Sequence, residues 1–422
     1  MDRRRLAQAE VDLIRRRHER LKRSQPGGVR AVFAWTDLSG LDLSHSNLSD
    51  ADFTGAMMEG CCLAGATLDN AIFFCADLHN ADMPEASLKR ADLRGAWLRG
   101  ADLTGADMSE ADLREGSIAT VDPKLGFRML DHGRRASQAN GAVLAGANLT
   151  RARLSGVVAM DADFSDAVLK DAKLIGAVLR QCDLSGADLA GADLSQADLS
   201  GAKLRDAFLV GATTKSCNLE GAQMDGALTE RPSGMSAGGK SYADMLRAHL
   251  LWSQTRGERG APSVFDGADL RGLGSIRGYN LAAVSAKGAV FYGLDMQGSQ
   301  LQGAQLQGAD LRGCDLRRAD LRGARLNGAR LNGADLRGAR MGPLLIDGNR
   351  LLPCNLSGAS IKGADLRDAD LRRAVLARAD LSRSDFAGCQ LKEADLTDAD
   401  LAKARNLPKP IMAEQEKARP KR

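Results

Sequence analysis

An all-β solenoid is the fold class this sequence predicts. Three observations predict it. A large apolar residue returns every five positions, a small residue stands two places before it, and large rings are scarce: aromatics make up only 4% of 422 residues, while Gly numbers 46. A globular core of this size would hold more rings. A thin core filled locally, repeat by repeat, does not need them. The length alone allows two or three globular domains or one long array, so repeats are sought first.

The repeat is plainest in Ala91-Asp92-Leu93-Arg94-Gly95, Ala96-Trp97-Leu98-Arg99-Gly100 and Ala101-Asp102-Leu103-Thr104-Gly105. Each unit has a large apolar centre, preceded by Asp or Asn, with Ala before that. A polar residue follows, then Gly or another small or polar residue. The centres Phe33, Leu38, Leu43, Leu48 and Phe53 continue in one phase to Ile118. Leu144 to Met224 hold a second phase, shifted by one residue. Phe265 and Leu270 open a third stretch; one residue is then inserted, and Ile276 to Leu401 run without a break in phase. Together these cover roughly three-quarters of the chain.

A period of five is neither the 3.6 of a helix nor the 2 of a strand. Inside one unit, however, the centre and the residue two before it point one way, and the residue between them points the other. Three extended residues and two turning ones make one side of a coil. Stacked coils, about 4.8 Å apart, pair each backbone with the coils above and below.

The A-(D/N)-L-x-x pattern resembles the pentapeptide-repeat family. That resemblance implies a right-handed quadrilateral β-helix with four repeats per coil, so that residues twenty apart share a face. Phe53 and Phe73 would then stack, as would Leu93 and Leu113. Cys61, Cys182, Cys217, Cys314, Cys354 and Cys389 take the place of the inward Ala, where a free thiol acts as a small buried hydrophobe. Cys62 and Cys75 fall elsewhere in the register. The spacings of the eight cysteines match no zinc or haem pattern.

Two segments break the period. The first is roughly 119–141, where Asp122-Pro123 signals a turn; a surface loop or short helix carrying His132 and Arg134-Arg135 is expected. The second begins with a flexible linker from Arg231-Pro232-Ser233-Gly234 through Gly238-Gly239. A helix over Ser241 to Ser253 follows, with Met245, Leu246, His249 and Trp252 on one stripe. Leu6 to Leu21 is helical in pattern too, with Arg15, Arg16, Arg17 and Arg20 on a basic face. In each case a His (His18, His249) is followed three places on by a large apolar residue (Leu21, Trp252), then a Gly-containing turn, then a Phe centre. The two helices read as one device used twice, folded over the open end of a coil stack whose unpaired edge would otherwise invite aggregation. Both histidines are expected to be packed and satisfied rather than ligands.

The expected organisation is a basic helix and cap at 1–30, an acidic repeat block at 31–118, an insertion at 119–141 and a repeat block at 142–227. A linker and capping helix at 228–263, a second solenoid at 264–405 and a disordered basic tail at 406–422 complete it.

No phosphate loop, nucleophile elbow, dinucleotide fingerprint or zinc-protease helix is present. Asp at a fixed outward position is too frequent to mark an acid or base, which needs a perturbed pKa in a cleft. A non-enzymatic protein without cofactor or metal is expected. No apolar run is long enough to span a membrane. The basic start lacks the apolar stretch of a secretory leader, so a cytoplasmic location is expected.

The net charge of +4 hides an asymmetry. Residues 31–118 carry 15 acidic and 5 basic side chains, a balance of −10. Residues 142–225 carry 11 and 8 (−3), residues 265–405 carry 17 and 21 (+4), and the first 30 carry 4 and 10 (+6). Twenty-residue spacing places Asp42, Asp82 and Asp102 on one face and Asp52, Asp92 and Asp112 on another. In the second solenoid it places Asp310, Arg330, Arg350 and Asp370 on one face, where mixed signs suggest cross-coil ion pairs. Direct nucleic-acid binding is disfavoured, because one-signed basic columns interleaved with aromatics are lacking.

Two functions follow. The first is a protein–protein scaffold or adaptor that presents flat faces to a protein partner. The second rests on the resemblance: some pentapeptide-repeat proteins that protect DNA gyrase imitate the phosphate rows of DNA, and the Asp rows of 31–118 could do the same toward a DNA-handling protein. A third arrangement, basic residues 1–30 docking on the acidic block, would cover those rows.

Overall fold

The computed structural model describes residues 3–116, 119–122, 126–129, 136–229, 236–237, 240–348 and 350–408. The chain forms two compact units, Met1–Arg231 and Pro232–Arg422. Each contains its own apolar core. No helix among the described residues is long and apolar enough to cross a membrane.

The unit of construction is one pentapeptide side. In Ala51-Asp52-Phe53 the Ala and Phe are fully buried, and the Asp between them faces outward, half-exposed. The N–H of Ala56 donates to the carbonyl of Phe53 at 3.0 Å and closes the corner. The residue just before each Ala has left-handed backbone, as at Gly55 (φ 59) and Asp50 (φ 64). Gly adopts that conformation without a steric penalty, and Asn and Asp tolerate it better than other residues.

Four sides make a coil of twenty residues. Val32 bridges Asp52, Asp37 bridges Met57, Asp42 bridges Cys62 and Asn47 bridges Thr67, all in parallel. The Asp52 N–H donates to Ala31 O at 3.0 Å in the coil below, and the Phe53 N–H donates to Ile72 O at 2.7 Å in the coil above. Side chains stack in the same register: the rings of Phe33, Phe53 and Phe73 lie 5.1 and 4.7 Å apart.

In unit 1, β1 (Arg4–Arg5) and α1 (Gln8–Lys22) precede β2 (Thr36–Asp37). β1 pairs in parallel with β2. α1 lies over the first coil with Val11 and His18 fully buried. The next departure holds β3 (Ala119–Asp122) and β4 (Gly126–Met129), an antiparallel pair. Paired strands stand here where a loop or short helix was expected. Pro123, His132, Arg134, Arg135 and the centre assigned to Ile118 lie outside the described residues. Trp97 bridges Gln138, forty-one residues on instead of twenty. The extra twenty-one residues explain the one-residue phase shift, and pairing resumes ahead of residue 142.

In unit 2, β5 (Ser236–Ala237) and β6 (Lys240–Ser241) pair antiparallel and lead into α2 (Tyr242–Gln254). Ser241 caps α2: its hydroxyl accepts the N–H of Asp244 at 3.1 Å. In the first coil Asp269 bridges Val290, twenty-one residues on, whereas Ser275 bridges Asp295 at twenty. The extra residue is absorbed in a 3-10 turn, Arg271–Leu273, that ends on Gly274 with φ 73.

The run from Ile276 to Leu401 keeps its phase, as read from the sequence, but one excursion interrupts the stack. β7 (Leu344–Asp347) and β8 (Arg350–Leu352) form a hairpin that leaves the stack, and Arg325 bridges Asn355, thirty residues on. Ten extra residues are two whole periods, so the phase survives. Ile346 and Leu351 keep step with the centres but are 53% and 42% exposed. Arg350 therefore leaves the face assigned to it. The true column is Asp310, Arg330, Ser360 and Asp380, while Asp370 bridges Arg340.

Candidate functional site

The outward residues of each side form columns along the stack, because parallel bridging keeps them in register. One column of unit 1 runs Asp42, Cys62, Asp82, Asp102, Val143, Asp163, Asp183. Asp42 and Asp82 are exposed and Asp102 is half-buried. Asp163 and Asp183 join this column only because the insertion moves the register, which spacing by twenty cannot show. A second column runs Val32, Asp52, Ile72, Asp92, Asp112, Arg153.

These carboxylates have local work. Asp42 accepts the backbone N–H of Ser44 at 2.8 Å, Asp52 that of Thr54 at 2.9 Å and Asp102 that of Thr104 at 2.9 Å. The bonds to Ser44 hold the Asp42 carboxyl below the usual range. Asp82 accepts the thiol of Cys62 at 3.8 Å. In the second column Arg94 grips Asp92 at 2.8 and 2.6 Å, and Arg114 grips Asp112 at 2.9 and 2.7 Å. Arg153 adds a contact to Asp112 at 3.5 Å. Burial opposes ionisation of Asp112, but Arg114 and Arg153 outweigh it and its pKa is lowered. The second column is thus largely neutralised, and the first, which continues from Asp183 to Lys203, ends in an ion pair between those two at 3.1 Å.

Unit 2 repeats the Asp-Leu-Arg pair so often that it becomes a ladder. Arg317 grips Asp315 in its own repeat and reaches Asp335 of the next coil at 3.6 Å. Arg337 grips Asp335 and reaches Asp365 at 3.5 Å. Cross-coil pairs exist, as the mixed signs suggested, but the closest partner lies two residues away in the same repeat. Arg312 and Asp310 are the buried case, with side chains 4% and 1% exposed.

The helices close the first coil of each unit. The N–H of Ala31 donates to His18 Nδ1 at 3.0 Å, so Nε2 carries the proton and donates to Ser49 O at 2.9 Å. In unit 2 Ser263 N–H donates to His249 Nδ1 at 3.0 Å, and Nε2 faces Ala282 O at 3.2 Å. Burial pushes both imidazoles below 6.5, against the pull of their carbonyl partners. Trp252 packs against His249, ring centroids 5.4 Å apart. Leu21 does not match it: that side chain is 42% exposed, and Leu6 and Val11 fill the cap instead. A Cβ on Gly28 would meet the Leu21 backbone at 2.4 Å, and one on Gly260 would meet Ala248 O at 2.2 Å. The glycine turn after each His is therefore needed for close approach to the helix.

Sequence reasoning missed Gln8. Its amide donates to Asp42 O at 2.8 Å and accepts the Asp42 N–H at 2.9 Å, standing in for a missing coil. The contacts of α1 and its flanks reach residues 31–50, through Arg15 to Ser46 and Lys22 to Asp50. Among the described residues these contacts lie on the first coil, so residues 1–30 dock on the start of the acidic block rather than along the Asp rows.

None of the eight cysteines is in a disulfide. Cys61, Cys182, Cys314, Cys354 and Cys389 are buried, and burial pushes their thiols up to about 12. Cys217, Cys62 and Cys75 are half-buried. Among the described residues no three His, Cys, Asp or Glu side chains are arranged to hold a metal ion.

The family model described as Pentapeptide repeats (8 copies) matches ten overlapping segments, which together span residues 29–117, 135–228, 277–342 and 354–405. Among solved structures, the chain is similar to Rfr23, a pentapeptide repeat protein from the cyanobacterium Cyanothece, at 25% identity, covering 32% of this chain and 90% of that one with a TM-score of 0.25. It is similar to HetL, a pentapeptide repeat protein of the cyanobacterium Nostoc involved in heterocyst differentiation regulation, at 24% identity over 91% and 94% of the chains with a TM-score of 0.16. Full-length QnrB1, a plasmid-mediated fluoroquinolone resistance protein, is 19% identical over 47% and 89% of the chains with a TM-score of 0.30. No curated protein sequence matches.

Proposed function

The chain belongs to the pentapeptide-repeat family, and on that premise we propose that it is a non-enzymatic scaffold whose right-handed quadrilateral β-helices present flat lateral faces to a protein partner. The supporting observation is the register of the outward columns. Parallel bridging at twenty residues holds each outward side chain above the next, and the helices sit over the first coil of each unit rather than along its sides. Such a face is rigid before binding, so little ordering cost opposes association. Catalysis has no comparable support: the carboxylates are spent on neighbouring N–H groups and guanidinium groups.

A second reading is favoured by the column of Asp42, Asp82, Asp102 and Asp163, which ends where Lys203 pairs with Asp183. Outward carboxylates in axial register would let unit 1 imitate the phosphate row of DNA toward a DNA-handling protein. The paired column of Asp92 and Asp112 supports this less.

Co-purification from source-cell extract separates the readings. The wild type is compared with a variant in which Asp42, Asp52, Asp82, Asp92, Asp102 and Asp112 are changed to Asn. Asn keeps the acceptor oxygen, as Asn47 and Asn148 already do toward Ser49 and Thr150. The scaffold reading expects the same protein partners on both baits. A DNA-handling protein held by the wild type and lost from the variant would favour mimicry. Neither bait retaining any protein would sink both.

A further inference from the structure

We propose that unit 2 carries a binding site for a phosphate-type dianion, in the gap that opens where the β7–β8 hairpin leaves the stack. Bridging sets Asp320, Arg340, Asp370 and Gln390 above one another. The residues two places on, Arg322, Gly342, Arg372 and Lys392, therefore form a neighbouring column. Three of them are long and cationic. The fourth, Gly342, has no side chain, and Pro343 carries the chain outward into β7. What is left is a cavity of about 330 Å³ in the side of the stack. That size lies within the range of small-molecule sites.

The walls are strongly cationic. Arg322, Arg340, Arg372, Arg373 and Lys392 line the cavity, against Asp370 and Glu393. Asp320, just behind, holds two of these guanidinium groups. Five cations less three carboxylates leave +2, the charge that balances a dianion.

The guanidinium groups are held in place in advance. Arg322 is anchored on Asp320 at 2.8 and 2.7 Å, and Arg372 on Asp370 at 2.8 and 2.8 Å. Arg340 reaches Asp320 at 3.3 Å, and Arg373 donates to Glu393 at 2.6 Å. An arginine has five N–H donors, so anchoring through one edge leaves donors for a ligand. Lys392 stands at the mouth, 80% exposed, with its amine 4.0 Å from Glu393. Planar forks around a compact, doubly charged oxyanion are the arrangement that suits phosphate. A singly charged carboxylate would leave half of the excess charge unmet.

The phosphoryl group can come from a free small molecule or from a phosphorylated side chain of a protein. Calorimetric titration of the full chain at physiological salt and about pH 8, with inorganic phosphate and with a phosphoserine peptide, tests the site and distinguishes the sources. The expected result is saturable binding at one site per chain. Arg373→Gln/Lys392→Gln removes two solvent-exposed cations and should weaken it at least about tenfold with the melting midpoint unchanged. Gly342→Gln keeps every charge, fills the gap and should abolish it. Tighter binding of the peptide assigns the site to a phosphoprotein, and binding of inorganic phosphate alone assigns it to a small ligand. No saturable binding of either probe, or equal binding by wild type and both variants, overturns the proposal.

Discussion

An aspartate in the middle of a pentapeptide side does two jobs that charge counting merges. Its carboxylate oxygen accepts the N–H two residues on, as in Ser44 to Asp42 and Ser165 to Asp163, which is an Asx turn. Where Arg stands at that second position, the same oxygens also hold its guanidinium, as in Arg94 on Asp92. The first job was legible in the sequence: Asn alternates with Asp there, and the two share an acceptor but not a charge. The second was readable only in part, because spacing by coils directs attention to the neighbour twenty residues away and not to the one two away. The corner glycines can be separated in the same manner. Gly308 (φ 65) has open space where a Cβ would stand, whereas a Cβ on Gly323 (φ 65) would lie 2.7 Å from Leu344 Cβ in the hairpin. Gly308→Ala should therefore cost only the left-handed backbone penalty of about 1–2 kcal/mol. Gly323→Ala should cost more and should raise hydrogen exchange in β7. Equal midpoints in urea unfolding for the two variants would contradict this.

At the scale of elements, the caps were the most legible feature after the repeat itself. The His, the glycine turn and the first Phe centre recur at nearly equal spacing, and both histidines meet a backbone N–H and a backbone carbonyl. The part that stayed hidden is the part without side-chain pattern. β1 is two residues long, and Gln8 is an ordinary helix-former whose role depends on an edge elsewhere in the chain. Burial keeps His18 neutral, with a folded pKa below 6.5. The unfolded chain therefore binds a proton more readily than the folded one below about pH 6.5, and stability drains away as pH falls through that value. His18→Gln loses the clasp but not the pH response of the rest of the chain. The gap in melting midpoint between wild type and His18→Gln should be widest at pH 7.5 and should narrow toward pH 5. A gap that stays constant would mean that His18 titrates normally. The depressed carboxylates act in a lower window, since their stabilisation is lost only as pH falls below about 4.

Across the whole molecule, two separate cores hold the two units. A core of stacked Leu and Ala columns is stabilised chiefly between neighbouring coils, so a cavity is felt by the stack that contains it. Leu63→Ala in unit 1 and Leu326→Ala in unit 2 each empty a fully buried site. Each should lower the calorimetric transition of its own unit by about 2–5 kcal/mol. A single transition that responds alike to both would contradict two independent cores. The hairpin at 344–352 escaped the sequence for an arithmetical reason: ten residues are two periods, so counting in fives passes over it. The insertion after Gly116 was visible because the repeat lapses there, Asp122-Pro123 marks a turn, and twenty-one leaves a remainder of one. These two excursions differ in length, yet in both the coil that follows bridges the coil that came before. What the stack demands of a departing chain is its point of return, not its time away. Since loop closure grows dearer by only about 0.6 kcal/mol for each doubling of length, the corners after Met341 and Gly116 are natural ports, at which a guest sequence of almost any size can be docked while the masonry on either side stays as laid.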